Sequence, residues 1–125
     1  MLTRTVEESP RDRRGGQVSF LLLGREGQPS SDRLAVTWVE GARASEQPLH
    51  RHEHSEQAYV IVQGRGLMTV EADRMEVERG TLVLIPVGKE HSIRNIGEEP
   101  LVYVSATTPP FEIPPGRWRH GLAFT

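Results

Sequence analysis

From Gln17 onward the chain is cut into short runs rich in Val, Leu, Ile, Thr and aromatic residues, and each run ends at Gly, Pro, Asp or Asn before a helical period can establish itself. This texture admits an all-β domain and little else. Strands are expected near Val18–Leu23, Leu34–Val39, Pro48–His52, Ala58–Gln63, Leu67–Ala72, Met75–Val77, Leu82–Ile85, His91–Asn95 and Leu101–Ala106. Nine short strands with such turns suit a sandwich, a barrel or a jelly roll. Gly64-Arg65-Gly66 and Ala72-Asp73-Arg74 are expected to reverse the chain between neighbouring strands, since glycine and aspartate tolerate positive φ.

At 125 residues the chain is one domain, near the size at which association with a second copy helps to cover apolar surface. Three segments are expected. Residues 1–16 form an arm, 17–108 the β-domain and 109–125 a Pro-rich tail. In the arm Arg4, Arg11, Arg13 and Arg14 alternate with Glu7, Glu8 and Asp12, a mixture expected to remain solvated. In the tail, Pro109-Pro110 and Pro114-Pro115 cannot join a central strand.

A formal charge of −2 calls for neither nucleic acid nor an anionic membrane as partner. The absence of cysteine excludes disulfides, thiolate metal sites and cysteine nucleophiles, and it suits the reducing cytoplasm. Apolar runs such as Phe20–Leu23 and Leu82–Ile85 fall far below the ~20 residues of a membrane span. No basic start leads into an apolar stretch, so no signal peptide is expected.

Side chains two apart on a strand share a face, so His50 and His52 present their imidazoles side by side. Such a pair is a ready anchor for a divalent transition metal. The neighbourhood reads His50-x-His52-x4-Gln57-x6-Gly64, and a later stretch reads Gly80-x5-Pro86-x-Gly88-x2-His91-x3-Asn95. Together they resemble the two signature motifs of the cupin family, G-x5-H-x-H-x3,4-E-x6-G and G-x5-P-x-G-x2-H-x3-N. The second motif matches at every fixed position. The first departs twice: the nearest upstream glycine, Gly41, lies three residues too early, and Gln57 replaces the family's glutamate.

The resemblance implies a double-stranded β-helix, the cupin jelly-roll barrel, holding one divalent transition metal per chain: Mn, Fe, Ni, Zn or Cu. It also implies the ligand set His50, His52, Gln57 and His91, with His54 at the mouth or just outside the shell. A barrel that keeps these residues without a metal is the alternative. Glutamine retains a carbonyl oxygen but removes one negative charge, so a dication held by four neutral donors should favour anionic ligands.

By alternation Tyr59 and Ile61 face the way Gln57 does, and Ile93 and Asn95 the way His91 does, giving a largely apolar chamber in which Tyr59 is the candidate catalytic proton donor or acceptor. The implied function is that of an enzyme on a small organic acid or carbonyl compound, of dioxygenase, decarboxylase, isomerase or lyase type. The alternative is a non-catalytic module that binds or senses a small ligand. Ala58–Val62 and Leu82–Ile85 are apolar on both faces, and a homodimer is expected to cover the outer one.

Overall fold

The computed structural model describes residues 1–111, and within them the chain is strand and loop without helix. The strands are β1 (Arg11–Arg14), β2 (Gln17–Leu23), β3 (Ala35–Gly41), β4 (Glu56–Gln63), β5 (Arg65–Val70), β6 (Asp73–Glu78), β7 (Leu82–Ile85), β8 (His91–Asn95) and β9 (Leu101–Thr108). They form a six-stranded sheet in the order β1-β2-β3-β9-β4-β7 and a three-stranded sheet in the order β6-β5-β8, with every neighbouring pair antiparallel. No helix among these residues is long and apolar enough to cross a membrane. Pro114-Pro115 and His120 lie outside the described residues.

The core lies between the two sheets. Ile61, Ile85, Ile93, Leu101 and Tyr103 are each almost fully buried there, with Val39, Met68 and Val77 packed among them. Along β4 and β9 the inward positions change character from one end to the other. Gln57 and Ser105 line a cavity, with Thr107 buried beside them, whereas Ile61 and Leu101 fill the core. Alternation thus carries both the apolar seal and the polar wall on the same two strands.

The structure corrects three expectations. Pro48–His52 is not a regular strand: it touches β8 through a single bridge, His50 opposite His91. Pro48 has no N–H to give to a ladder, and flanking bonds such as Gln47 N–H to the Ile93 carbonyl (3.0 Å) hold the segment in place.

The arm is not wholly solvated. Arg11–Arg14 pairs with β2, the Arg11 guanidinium lies 4.8 Å from the Phe20 ring centre, and Ser9 is fully buried. Edge pairing and cation–π contact outweigh the poor strand propensity of this charged run.

Gly64 does not close a hairpin, because β4 and β5 belong to different sheets. It turns the corner between them at φ 86°, where a Cβ would stand 2.7 Å from the Pro100 carbonyl oxygen. The expected hairpin near Ala72 does form, as a two-residue turn with Glu71 at φ 52°.

The outer face of the large sheet carries two apolar rows. One row of outward residues runs Phe20, Trp38, Val104, Val60 and Leu82 from β2 to β7. The next row runs Val36, Ala106, Ala58 and Leu84 across β3, β9, β4 and β7. At the β7 edge of this surface Leu82 and Leu84 remain 61% and 54% exposed.

Candidate metal centre

The two histidine-bearing segments, forty residues apart in sequence, meet through a reciprocal pair of backbone hydrogen bonds. His50 N–H donates to the His91 carbonyl at 3.1 Å, and His91 N–H donates to the His50 carbonyl at 2.8 Å. The Gly88 N–H, donating to the His52 carbonyl at 3.0 Å, fastens the same junction one turn earlier. One nitrogen from each of His50, His52 and His91 consequently falls within 4.8 Å of the others. His54, expected near the mouth, is exposed and stands outside this cluster.

The second nitrogens are oriented by the backbone. His50 Nδ1 lies 2.8 Å from the Pro48 carbonyl oxygen and His91 Nδ1 3.0 Å from that of Lys89. A carbonyl can only accept, so each Nδ1 carries the proton and each Nε2 keeps its lone pair. The Nε2 of His91 is buried and has no hydrogen-bond partner.

Gln57 repeats this pattern. Its Nε2 donates to Ser105 Oγ at 3.2 Å and to Thr107 Oγ1 at 3.0 Å, which leaves Oε1 buried and without a partner. Buried acceptors are rarely left unpaired, because desolvation without a replacement bond costs about 1–3 kcal/mol each. Two such lone pairs, one within the three-histidine cluster and one on the cavity that His50 and His52 line, are what an electrophilic cation would satisfy. The donor set suits a borderline transition metal.

A cavity of about 230 Å³ opens beside the histidines. Tyr59 faces it, edge-on to His91 with ring centres 5.8 Å apart and stacked on Tyr103 at 4.7 Å. Gln47 Nε2 donates to the hydroxyls of Tyr59 (3.2 Å) and Tyr103 (3.4 Å). Burial pushes the Tyr59 hydroxyl up to about 12, partly offset by its bond to Gln47, so the phenol stays protonated at neutral pH. The Tyr103 hydroxyl is raised well above its usual value, first by burial and then by Tyr59.

Sequence reasoning places Gln57 and Tyr59 on the cavity but misses Gln47, Thr37 and Ser105. The wall is accordingly richer in neutral hydrogen-bonding groups than expected. Thr37 and Ser105 occupy inward positions on strands whose facing could have been read by alternation. Gln47 lies in a loop, where no periodic signal exists.

Burial also shifts the titration of His91 and His52. It lowers the pKa of His91 to about 4, the bond to Lys89 opposes the shift, and the nearby His50 and His52 add to it. His52 is lowered as well, by burial and then by His50. A histidine whose folded pKa lies below the unfolded 6.5 binds its proton more weakly in the folded state. Its neutral form therefore contributes full stability above pH 6.5, and that contribution is lost as pH falls from about 6.5 to about 4. Urea unfolding of the metal-free protein should lose about 2 kcal/mol more between pH 7 and pH 5 than the His91→Gln variant does. Equal losses in the two proteins would mean that His91 is not held neutral by its surroundings.

Comparison with known proteins agrees with the fold. The cupin domain model matches residues 36–107. An uncharacterized protein of Methanocaldococcus jannaschii is 43% identical over 63 residues, half of each chain. The chain therefore spans about half the length of that curated relative. Quercetin 2,3-dioxygenase of Bacillus subtilis is 25% identical over 95 residues, 70% of this chain and 28% of the enzyme. A predicted oxalate decarboxylase of Thermotoga maritima superposes with a TM-score of 0.76 at 21% identity, covering 87% of this chain and 99% of that one, which establishes the likeness of fold. With both motifs gathered in one double-sheeted barrel and the family match spanning most of its strands, the chain belongs to the cupin family.

Proposed function

We propose that this protein is a metal-dependent cupin that holds one divalent transition metal through His50, His52, His91 and the Oε1 of Gln57, and that acts on a small organic acid or carbonyl compound. The observation that carries the proposal is the pair of buried, unpartnered lone pairs on His91 Nε2, within the histidine cluster, and on Gln57 Oε1, which shares a cavity wall with His50 and His52. Bound there, a dication would act as a Lewis acid toward a substrate oxygen. Manganese, iron, nickel, zinc and copper all accept this mixture of imidazole and carbonyl donors.

The protein's own groups prepare the chamber. The Lys89 and Pro48 carbonyls keep two imidazoles in the tautomer that offers Nε2, and Ser105 with Thr107 keeps the Gln57 amide turned oxygen-first. Tyr59, held protonated, donates a hydrogen bond to a substrate oxygen, with Gln47 setting its hydroxyl. The reactions that fit are those of a dioxygenase, decarboxylase, isomerase or lyase, in the cytoplasm that suits a cysteine-free chain.

One observation favours a second proposal, a non-catalytic module that binds or senses a small ligand. Asp12 is the one carboxylate among the cavity-lining residues described, and Tyr59 is a poor base. Metal-loaded protein that retains a small acid unchanged through long incubation would select this alternative.

The outer apolar rows support a homodimer joined through the large sheet. Sedimentation at micromolar concentration should give about twice the 14.0 kDa chain mass. A monomer would leave the terminal segments as the cover.

Metal analysis tests the centre directly. His52→Ala and His91→Ala should each strip the metal while circular dichroism still reports the folded barrel, and full occupancy in both variants would refute the ligand set. Gln57→Glu adds a charge to the shell, so it should bind a divalent ion more tightly and azide more weakly. Unchanged affinities for both would place residue 57 outside the shell.

A further inference from the structure

The charged lip of the cavity comes from β1. Arg11–Arg14 pairs with β2 so that Asp12 stands opposite Ser19 and Arg14 opposite Gln17, and all four residues line the cavity. Arg11, by alternation, turns outward onto Phe20. Asp12 and Arg14 are the charged groups, apart from the histidines, among the cavity-lining residues described.

The two differ in depth. The Asp12 side chain is only 13% exposed, and its Oδ2 lies 3.7 Å from Arg14 Nε. Arg14 is 57% exposed, and its two terminal amino groups make no hydrogen bond among the described residues. Asp12 thus steadies the guanidinium from its Nε side and leaves the end that forks onto a carboxylate turned toward the lip.

We infer that Arg14 is the specificity-determining residue of the chamber, binding the carboxylate of a small two-headed oxyanion whose other oxygen group lies at the three-histidine centre. This rests on the metal centre proposed above. Three observations converge on the ligand class. The centre offers four neutral donors, so a dication there keeps its full charge and attracts an anionic head. The wall in between is neutral and hydrogen-bonding: Gln47, Tyr103 and Ser105 line it, and Thr37 Oγ1 is buried there with no partner. That wall suits hydroxyl or carbonyl oxygens on the carbons between the two heads. A cavity of about 230 Å³ is smaller than drug-sized sites and restricts the ligand to a few carbons. A short dicarboxylate, or a hydroxy or keto acid, has this shape.

The test uses protein loaded with cobalt(II), whose visible spectrum reports an anion reaching the metal. Azide and acetate probe the centre alone, and oxalate, malonate, succinate and glutarate probe centre and lip together. At least one dicarboxylate should bind about tenfold more tightly than acetate, the size of one charge-assisted contact. Arg14→Gln should remove that advantage while the azide and acetate affinities stay unchanged. Arg13→Gln, which deletes the same charge from a residue that alternation turns away from the cavity, should leave the dicarboxylate advantage intact.

The inference is overturned if no dicarboxylate outperforms acetate, if Arg14→Gln keeps the advantage, or if Arg13→Gln removes it equally. A wild-type spectrum that does not respond to azide would instead remove the metal centre, and the inference with it.

Discussion

The reciprocal backbone pair between His50 and His91 is the joint on which the site depends. Imidazoles from two segments forty residues apart can share one ion only if their Cα atoms are fixed close together, and two short N–H to carbonyl bonds at 3.1 and 2.8 Å do this without help from side chains. The rest of the His50 segment has little regular pairing, since Pro48 interrupts it. That irregularity frees the Pro48 carbonyl to orient the His50 ring. The joint therefore supplies position, and the departure from a regular strand supplies orientation.

A second constraint is electrostatic. The groups gathered here are imidazoles and an amide, and burial lowers the pKa of His52 and brings that of His91 to about 4. A dication held by such uncharged donors would keep its full charge and favour anionic ligands. Gln57 is central to this balance. With Ser105 and Thr107 accepting from its amide nitrogen, Gln57 is left with a buried, unpartnered Oε1 that brings no charge with it.

The large sheet serves both ends of the molecule at once. Its inner face runs from core to cavity along β4 and β9, while its outer face carries exposed apolar rows. Adding β1 at the edge gives the cavity a charged lip that the core strands, built from uncharged inward residues, could not supply. The scaffold and the selectivity of the chamber thus reside in different strands.

Much of this was legible in the sequence because it depends on local rules. Alternation placed Gln57, Tyr59 and Ile61 on one face and His91, Ile93 and Asn95 on another, and turn residues bounded eight of the nine expected strands. The two motifs brought His50, His52 and His91 into one expected set, and the fold assembles them. What the tertiary structure alone decided involves partners distant in sequence. Arg11–Arg14 is too charged to read as a strand until β2 offers it an edge, and Gly64 looks like a hairpin glycine until Pro100 fixes it as a corner between sheets. Gln47 meets Tyr59 and Tyr103 from a loop with no period, and Pro48–His52 loses its ladder because one proline removes the donor. Periodicity fixes which way a side chain faces; which group it meets there depends on how separate segments pack.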